Sequence, residues 1–190
     1  MKIIKQSPKV IDKVVLFLKK GAVIICPTDT VYGFLADATN KKAVDKIFKI
    51  KERLKLKPLP IFVKGIKMAK ELAEISKEQE KIFKKYWPGK YTFILKRKSD
   101  IKLYGVNKDT IAIRVPKYKF LNNLLKKINK PLVQTSVNIS GEPFLAKVED
   151  IFEKFKKNKL QPDLIINAGF LKNKPSKIID FTSKHLTRLR

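Results

Sequence analysis

What most limits the folds open to this sequence is the way its apolar residues change period along the chain. Runs of aliphatic and β-branched residues, as at Ala22–Cys26, Leu59–Val63, Tyr91–Lys96, Thr110–Val115, Leu132–Ser136, Leu164–Asn167 and Lys177–Phe181, read as strands. Between them, apolar residues recur at helical steps: Ile11, Val14, Val15 and Leu18; Val44, Ile47 and Phe48; Met68, Leu72 and Ile75. Phe120, Leu121, Leu124, Leu125 and Ile128 continue the series, and Val148–Phe155 reads as a further helix. Asn40 is placed to cap one helix, and Ser76 with Gln79 has capping-box spacing for another. Trp87-Pro88-Gly89 reads as a helix stop. Interleaving on this scale predicts an α/β fold, with residues 1–190 forming a single domain.

The chain carries 44 Lys and Arg against 17 Asp and Glu, a formal net charge of +27. The lysines are spread over nearly every segment, so general lysine-rich composition explains the excess as readily as a polyanionic partner does. Arginine is scarcer: Arg53, Arg97, Arg114, Arg188 and Arg190. A chain that otherwise uses lysine has a reason wherever it keeps a planar, bidentate guanidinium. The single cysteine, Cys26, excludes a disulfide framework within one chain, and with the single histidine, His185, leaves little for zinc. No apolar run is long enough for a membrane span, and the first residues lack the pattern of a signal peptide, so a cytoplasmic protein is expected.

Four segments carry candidate chemistry. Pro27-Thr28-Asp29-Thr30-Val31-Tyr32-Gly33 follows a buried strand, where α/β proteins commonly bind ligands; an ordinary strand-to-helix turn is the alternative. Lys51-Glu52-Arg53, followed by Lys57-Pro58-Leu59, pairs point charges with a guanidinium fork as phosphate oxygens require, or forms a solvated basic turn. In Thr110–Val115 the period of two puts Thr110, Ala112 and Arg114 on one face and Ile111, Ile113 and Val115 on the other. An arginine in so apolar a strand must meet an anion or a carboxylate, either a ligand or a structural partner. Ser136-Val137-Asn138-Ile139-Ser140-Gly141 offers alternating hydroxyl and amide groups.

Several familiar chemistries are missing. The sequence has neither a G-x-x-x-x-G-K-[ST] loop nor a G-x-G-x-x-G fingerprint. His185 lies in a polar stretch near the end of the sequence, which disfavours a Ser-His-Asp triad, and Cys26 reads as a core residue.

Taken in order, these segments resemble the YrdC-like family of threonylcarbamoyl-adenylate synthases. The matching features are PT-[DE]-TVYG at Pro27–Gly33, K-x-R at Lys51 and Arg53, K-P-L at Lys57–Leu59 and W-P-G at Trp87–Gly89. T-x-x-x-R-x-P at Thr110–Pro116, S-x-N-x-S-G at Ser136–Gly141 and P-S-x-h-h-D at Pro175–Asp180 complete the pattern. The resemblance covers nearly the whole chain and implies a twisted open sheet of mixed parallel and antiparallel strands with flanking helices.

It also implies an activity: L-threonine, bicarbonate and ATP joined into threonylcarbamoyl-AMP with release of pyrophosphate, for the threonylcarbamoyladenosine modification of tRNA. By resemblance Thr30, Arg114, Ser136 and Ser176 serve threonine. Arg53, Lys57, Thr110, Asn138 and Arg190 serve the nucleotide, and Lys51 adds charge at the phosphates, with Lys51 and Arg53 as the catalytic pair. Mg²⁺ is expected with ATP, with no protein-held metal, and a tRNA threonylcarbamoyl transferase is the expected downstream partner. Both reactants are anionic, so a site of cations, hydroxyls and amides fits the demand for positioning and charge neutralisation. The rival reading is an RNA-binding or ribosome-associated member of the same fold, using a basic surface for tRNA or double-stranded RNA.

Overall fold

The computed structural model describes residues 1–98, 101–183 and the backbone of Thr187–Arg188. In chain order it runs β1 (Lys2–Lys5), α1 (Ile11–Lys19), β2 (Ile24–Cys26), β3 (Gly33–Asp37), α2 (Lys41–Ile50), β4 (Ile61–Phe62), α3 (Ile66–Leu72) and α4 (Lys77–Tyr86). It continues with β5 (Tyr91–Lys96), β6 (Thr110–Arg114), α5 (Lys119–Ile128), β7 (Leu132–Ser136), α6 (Val148–Phe155), β8 (Leu164–Asn167), β9 (Lys177–Asp180) and β10 (Thr187–Arg188). The strands form one sheet in the order β1-β8-β2-β3-β7-β4-β6-β5-β9-β10. β1 and β2 both run parallel to β8, as β4 does to β6 and β5 to β9, while the remaining neighbours are antiparallel. The mixed α/β sheet expected from the sequence is the one observed.

The period of two sorts each strand between two apolar layers. Ile25 and Phe34 face a layer with Val44 and Ile47 of α2, Met68 and Leu72 of α3, Phe83 of α4 and Ile151 of α6. Ile24 and Leu35 face the other way, onto Val14 and Leu18 of α1 and Leu121, Leu124 and Leu125 of α5. Helices therefore cover both faces, and α1, α2, α5 and α6 bury the stripes their sequences announce. Ile75, read with Met68 and Leu72, falls beyond the end of α3 at Leu72 and is half-buried. Caps hold as expected: Asn40 Oδ1 accepts the Ala43 N–H at 3.1 Å, and Ser76 with Gln79 forms a capping box. Trp87 ends α4, and its indole N–H donates to the Tyr91 carbonyl at 2.8 Å.

Three strands depart from the sequence reading, the last being the short β10 (Thr187–Arg188). Val31 through Ala36 is a continuous apolar run, and Gly33–Asp37 turns back as β3 against β2 instead of leading to a helix. Both faces of β3 are buried, so no polar alternation marks it. β1 lies at the sheet's edge with mostly exposed residues, and lysines at both ends hide its strand character.

The α1 and α5 layer leaves part of its face of the sheet bare. Leu132 of β7 and Phe62 of β4 meet that layer. Further along β7, Gln134 and Ser136, with Thr110, Ala112 and Arg114 of β6, instead line a cavity. No helix among the described residues is long and apolar enough to cross a membrane.

Candidate functional site

The cavity has a volume of about 270 Å³, and β6 forms its floor. Thr110, Ala112 and Arg114 all line it, while Ile111, Ile113 and Val115 are buried in the opposite layer, as the alternation requires. Four residue steps of extended chain lead from Thr110 to Arg114, so the floor runs about 13 Å between them. Ile94 of β5, paired with Ala112, and Ile178 of β9 add apolar wall between the polar ends.

At one end Arg114 is 1% exposed. Its Nε–H donates to the Gly89 carbonyl at 2.9 Å, an Nη1 hydrogen to Thr30 Oγ1 at 3.2 Å, and Nη2 forms a close ion pair with Asp29. The second Asp29 oxygen accepts the Lys117 N–H at 3.1 Å. Thr28 Oγ1 accepts the Thr30 N–H at 3.0 Å, lies 2.9 Å from Thr30 Oγ1 and donates to the Val31 carbonyl at 2.8 Å. The Pro27–Gly33 segment is thus a polar turn held by its own hydroxyls, and it delivers Asp29 and Thr30 to Arg114. Sequence reasoning asked whether Arg114 meets a ligand or a structural carboxylate. It meets a structural carboxylate, and it also lines the cavity.

The Lys51–Arg53 turn corrects the reading of a solvated basic turn. Lys51 is 1% exposed, and its ammonium donates to the Ser136 carbonyl at 2.7 Å, the Asn138 carbonyl at 2.8 Å and Asn138 Oδ1 at 2.7 Å. Burial, and secondarily the Arg53 charge, pushes its pKa down to about 7. Its three protons face the loop after β7, and Lys51 does not line the cavity. Glu52 takes a left-handed conformation, φ 51°, which swings Arg53 away from the axis of α2. Arg53 lines the cavity and donates to the carbonyls of Lys57 and Pro58 at 2.9 and 3.2 Å, fixing the loop that carries Pro58 and Leu59 into the wall. Burial lowers the pKa of its guanidinium.

Ser136 and Ser176 enter the same cavity from β7 and from the segment before β9. Ser136 Oγ donates to Asn138 Oδ1 at 2.9 Å, and Ser176 Oγ lies 3.1 Å from Thr92 Oγ1. The structure therefore unites Thr30, Arg53, Thr110, Arg114, Ser136 and Ser176 around one space. It leaves Lys57 exposed outside the lining, and it turns Asn138 to Lys51, Ser136 and, through Nδ2, the Glu142 carbonyl at 2.7 Å. Arg190 lies outside the described residues.

Sequence reasoning missed four contributors. Asp29 was visible within its motif, but nothing local announces a partner 85 positions away. Gln134 and Thr135 precede Ser136 on β7; the strand period, which gives Gln134 the face of Ser136, could have signalled Gln134 but not Thr135. Asn107 comes from a loop whose path depends on Arg97, which donates to the carbonyls of Asn107 and Ile101 at 3.0 Å each.

Residues 16–190 match the model of the Sua5/YciO/YrdC family, described as telomere recombination. The chain belongs to the Sua5/YciO/YrdC family. Among its relatives is a Methanocaldococcus jannaschii protein that bears the threonylcarbamoyl-AMP synthase name provisionally, 38% identical over 183 residues, covering 94% of this chain and 85% of that one. Escherichia coli YciO, an uncharacterized protein, is 31% identical over 183 residues, 92% of this chain and 84% of its own. The crystal structure of Pyrococcus abyssi Sua5 complexed with L-threonine superposes with a TM-score of 0.88 at 30% identity. That match covers 100% of this chain and 56% of the Sua5 chain, so the present chain spans about half the length of that relative. The Sua5/YciO/YrdC family thus includes members named threonylcarbamoyl-AMP synthase and members named only as uncharacterized.

Proposed function

We propose that this chain is a threonylcarbamoyl-AMP synthase, making L-threonylcarbamoyladenylate and pyrophosphate from L-threonine, bicarbonate and ATP. The observation that carries this reading is the shared cavity, with Arg114, Thr30 and Ser176 around one end of the β6 floor and Thr110 at the other. Threonine's carboxylate fits beside Arg114, and its hydroxyl has Thr30 and Ser176 as partners. The nucleotide then extends along β6 toward Thr110, with Arg53 beside its phosphates.

In this reading the threonine amine attacks bicarbonate carbon, water leaves, and a carbamate results. A carbamate oxygen attacks the α-phosphorus, and the bond to the β-phosphate breaks to release pyrophosphate. Positioning and neutralisation of the anions carry the rate. Lys51 acts by holding Ser136 and Asn138 in place. Mg²⁺ arrives as part of the nucleotide substrate on its phosphates; the described residues hold no cluster of three acidic, His or Cys side chains. The adenylate then passes to a transferase acting on tRNA. The deciding assay is pyrophosphate release from ATP; release independent of threonine and bicarbonate rejects the proposal.

A second reading, RNA binding through a basic surface, is favoured by one patch. Lys147 and Lys172 lie over the Phe170 ring at 5.7 and 5.8 Å, and Lys177 lies over Tyr91 at 5.4 Å. Phe170 is 51% exposed, and no acidic residue occurs between Asp163 and Asp180. Filter binding of tRNA across a salt series tests it. Affinity that falls steeply with salt and does not depend on Phe170 reduces the patch to diffuse charge.

A further inference from the structure

Asp29 immediately precedes Thr30, yet it does not line the cavity; it stands behind Arg114, with its carboxylate 7% exposed. One oxygen pairs with Nη2 of Arg114, and the other accepts the main-chain N–H of Lys117 at 3.1 Å. The Arg114 end of the cavity is therefore bordered by a guanidinium whose charge is balanced within the protein. Also close to that guanidinium are three uncharged groups, the Thr30 hydroxyl, the Gly89 carbonyl and the Phe62 ring, whose centroid lies 5.4 Å from Cζ. Among the described residues the other cation lining the cavity, Arg53, is bonded to the loop that carries Pro58 and Leu59.

We infer that Asp29 is a specificity-determining residue that makes the Arg114 end of the cavity select a zwitterionic α-amino acid over a simple carboxylate of the same carbon skeleton. The inference rests on the threonine-site reading above and deepens it. An uncompensated buried guanidinium would attract any carboxylate strongly, because burying the pair leaves no net charge. With Asp29 in place the Arg114–Asp29 pair already sums to zero. A monoanion entering that end leaves one uncompensated negative charge away from water, which is costly. A zwitterion brings its own ammonium and leaves the total at zero, while its carboxylate still meets the guanidinium. Asp29 thus acts through Arg114 without touching substrate.

The test compares L-threonine with 3-hydroxybutyrate, the same skeleton without the amine, by calorimetric titration of the full chain. Wild-type protein is expected to bind threonine and to discriminate against 3-hydroxybutyrate. Asp29→Asn keeps an acceptor for Lys117 but removes the balancing charge, and it should narrow that preference about tenfold or more. ATP affinity should stay within about twofold, since the nucleotide end is remote from Asp29 on the β6 floor. Asp29→Glu retains the charge, so it must retain the preference even if both ligands weaken; it also serves if the Asn variant fails to fold. A preference unchanged in Asp29→Asn, or lost in Asp29→Glu, overturns the inference while leaving the threonine site intact. A wild-type protein that binds neither ligand overturns the threonine reading together with this one.

Discussion

The Lys51 ammonium lies 2.7 Å from the side-chain oxygen of Asn138 and 2.8 Å from its main-chain carbonyl, so the end of α2 is tied directly to the loop after β7. Ser136, at the close of β7, faces the cavity and is held by the same ammonium through its carbonyl. Arg53, two residues beyond Lys51, lines that cavity as well. A single buried cation therefore keeps two walls of the site in register.

Lys51→Met should unfold more easily, because three oxygens lose their donor; a cost of about 3 kcal/mol is expected in chemical denaturation. The pH dependence supplies a second readout. The folded protein sheds this proton near pH 7, whereas the unfolded chain keeps it to about 10.5. Between those limits the unfolded state binds more protons, so this residue's contribution to stability rises with pH. Wild-type melting temperature should therefore gain on that of Lys51→Met from pH 7 upward, and parallel curves would exclude the assignment.

Arg114→Ala leaves the Asp29 carboxylate buried without its partner and should cost about 3–5 kcal/mol of stability. Arg114→Lys keeps a cation for Asp29 but gives up the fork that reaches Gly89 and Thr30. That variant should fold, raise the threonine KM and leave ATP affinity nearly unchanged. Equal losses for both substrates would mean that Arg114 serves the fold alone.

Arg53→Ala should lower threonine-dependent pyrophosphate formation by about 2–4 kcal/mol of transition-state stabilisation, the scale for one electrostatic donor. Its contacts lie in a loop with exposed Lys57 and Pro58, so the melting temperature should change little. A large drop in melting temperature with activity preserved would contradict that role.

Gly105→Ala should destabilise the protein by about 1–3 kcal/mol. Gly105 has φ 71°, and a Cβ there would stand 2.7 Å from Val44 Cγ1 and 3.2 Å from Phe48 Cε2. Its carbonyl accepts the Leu59 N–H at 2.7 Å, and Val106 and Asn107 follow it into the cavity wall. Urea denaturation reads the stability; a gain would contradict the contact.

The sequence carried the parts of the site that rest on local periodicity. Alternation along β6 was enough to put Thr110, Ala112 and Arg114 on one face, and helical stripes were enough to locate the helices along the chain. Hydrogen-bonding partners were another matter. Whether Lys51 is solvated or buried depends on where Ser136 and Asn138 arrive, 85 and 87 positions later. Asp29 and Arg114 are as widely separated. The hairpin strand β3 escaped because a strand buried on both faces loses the alternation that identifies strands at all.

The position of β8 has a consequence for how the protein comes to exist in a cell. β8 stands between β1 and β2, although its residues lie some 160 positions from the former. Likewise β5 waits for β9, and the cavity waits for Pro175, Ser176 and Ile178. During translation, at about 5–20 residues per second, β1 through β7 emerge before β8 and β9 exist. Pairings of such long sequence separation close late and slowly. Substrates therefore cannot stabilise a nascent chain through this site until residues 175–178 have left the ribosome and closed its last wall.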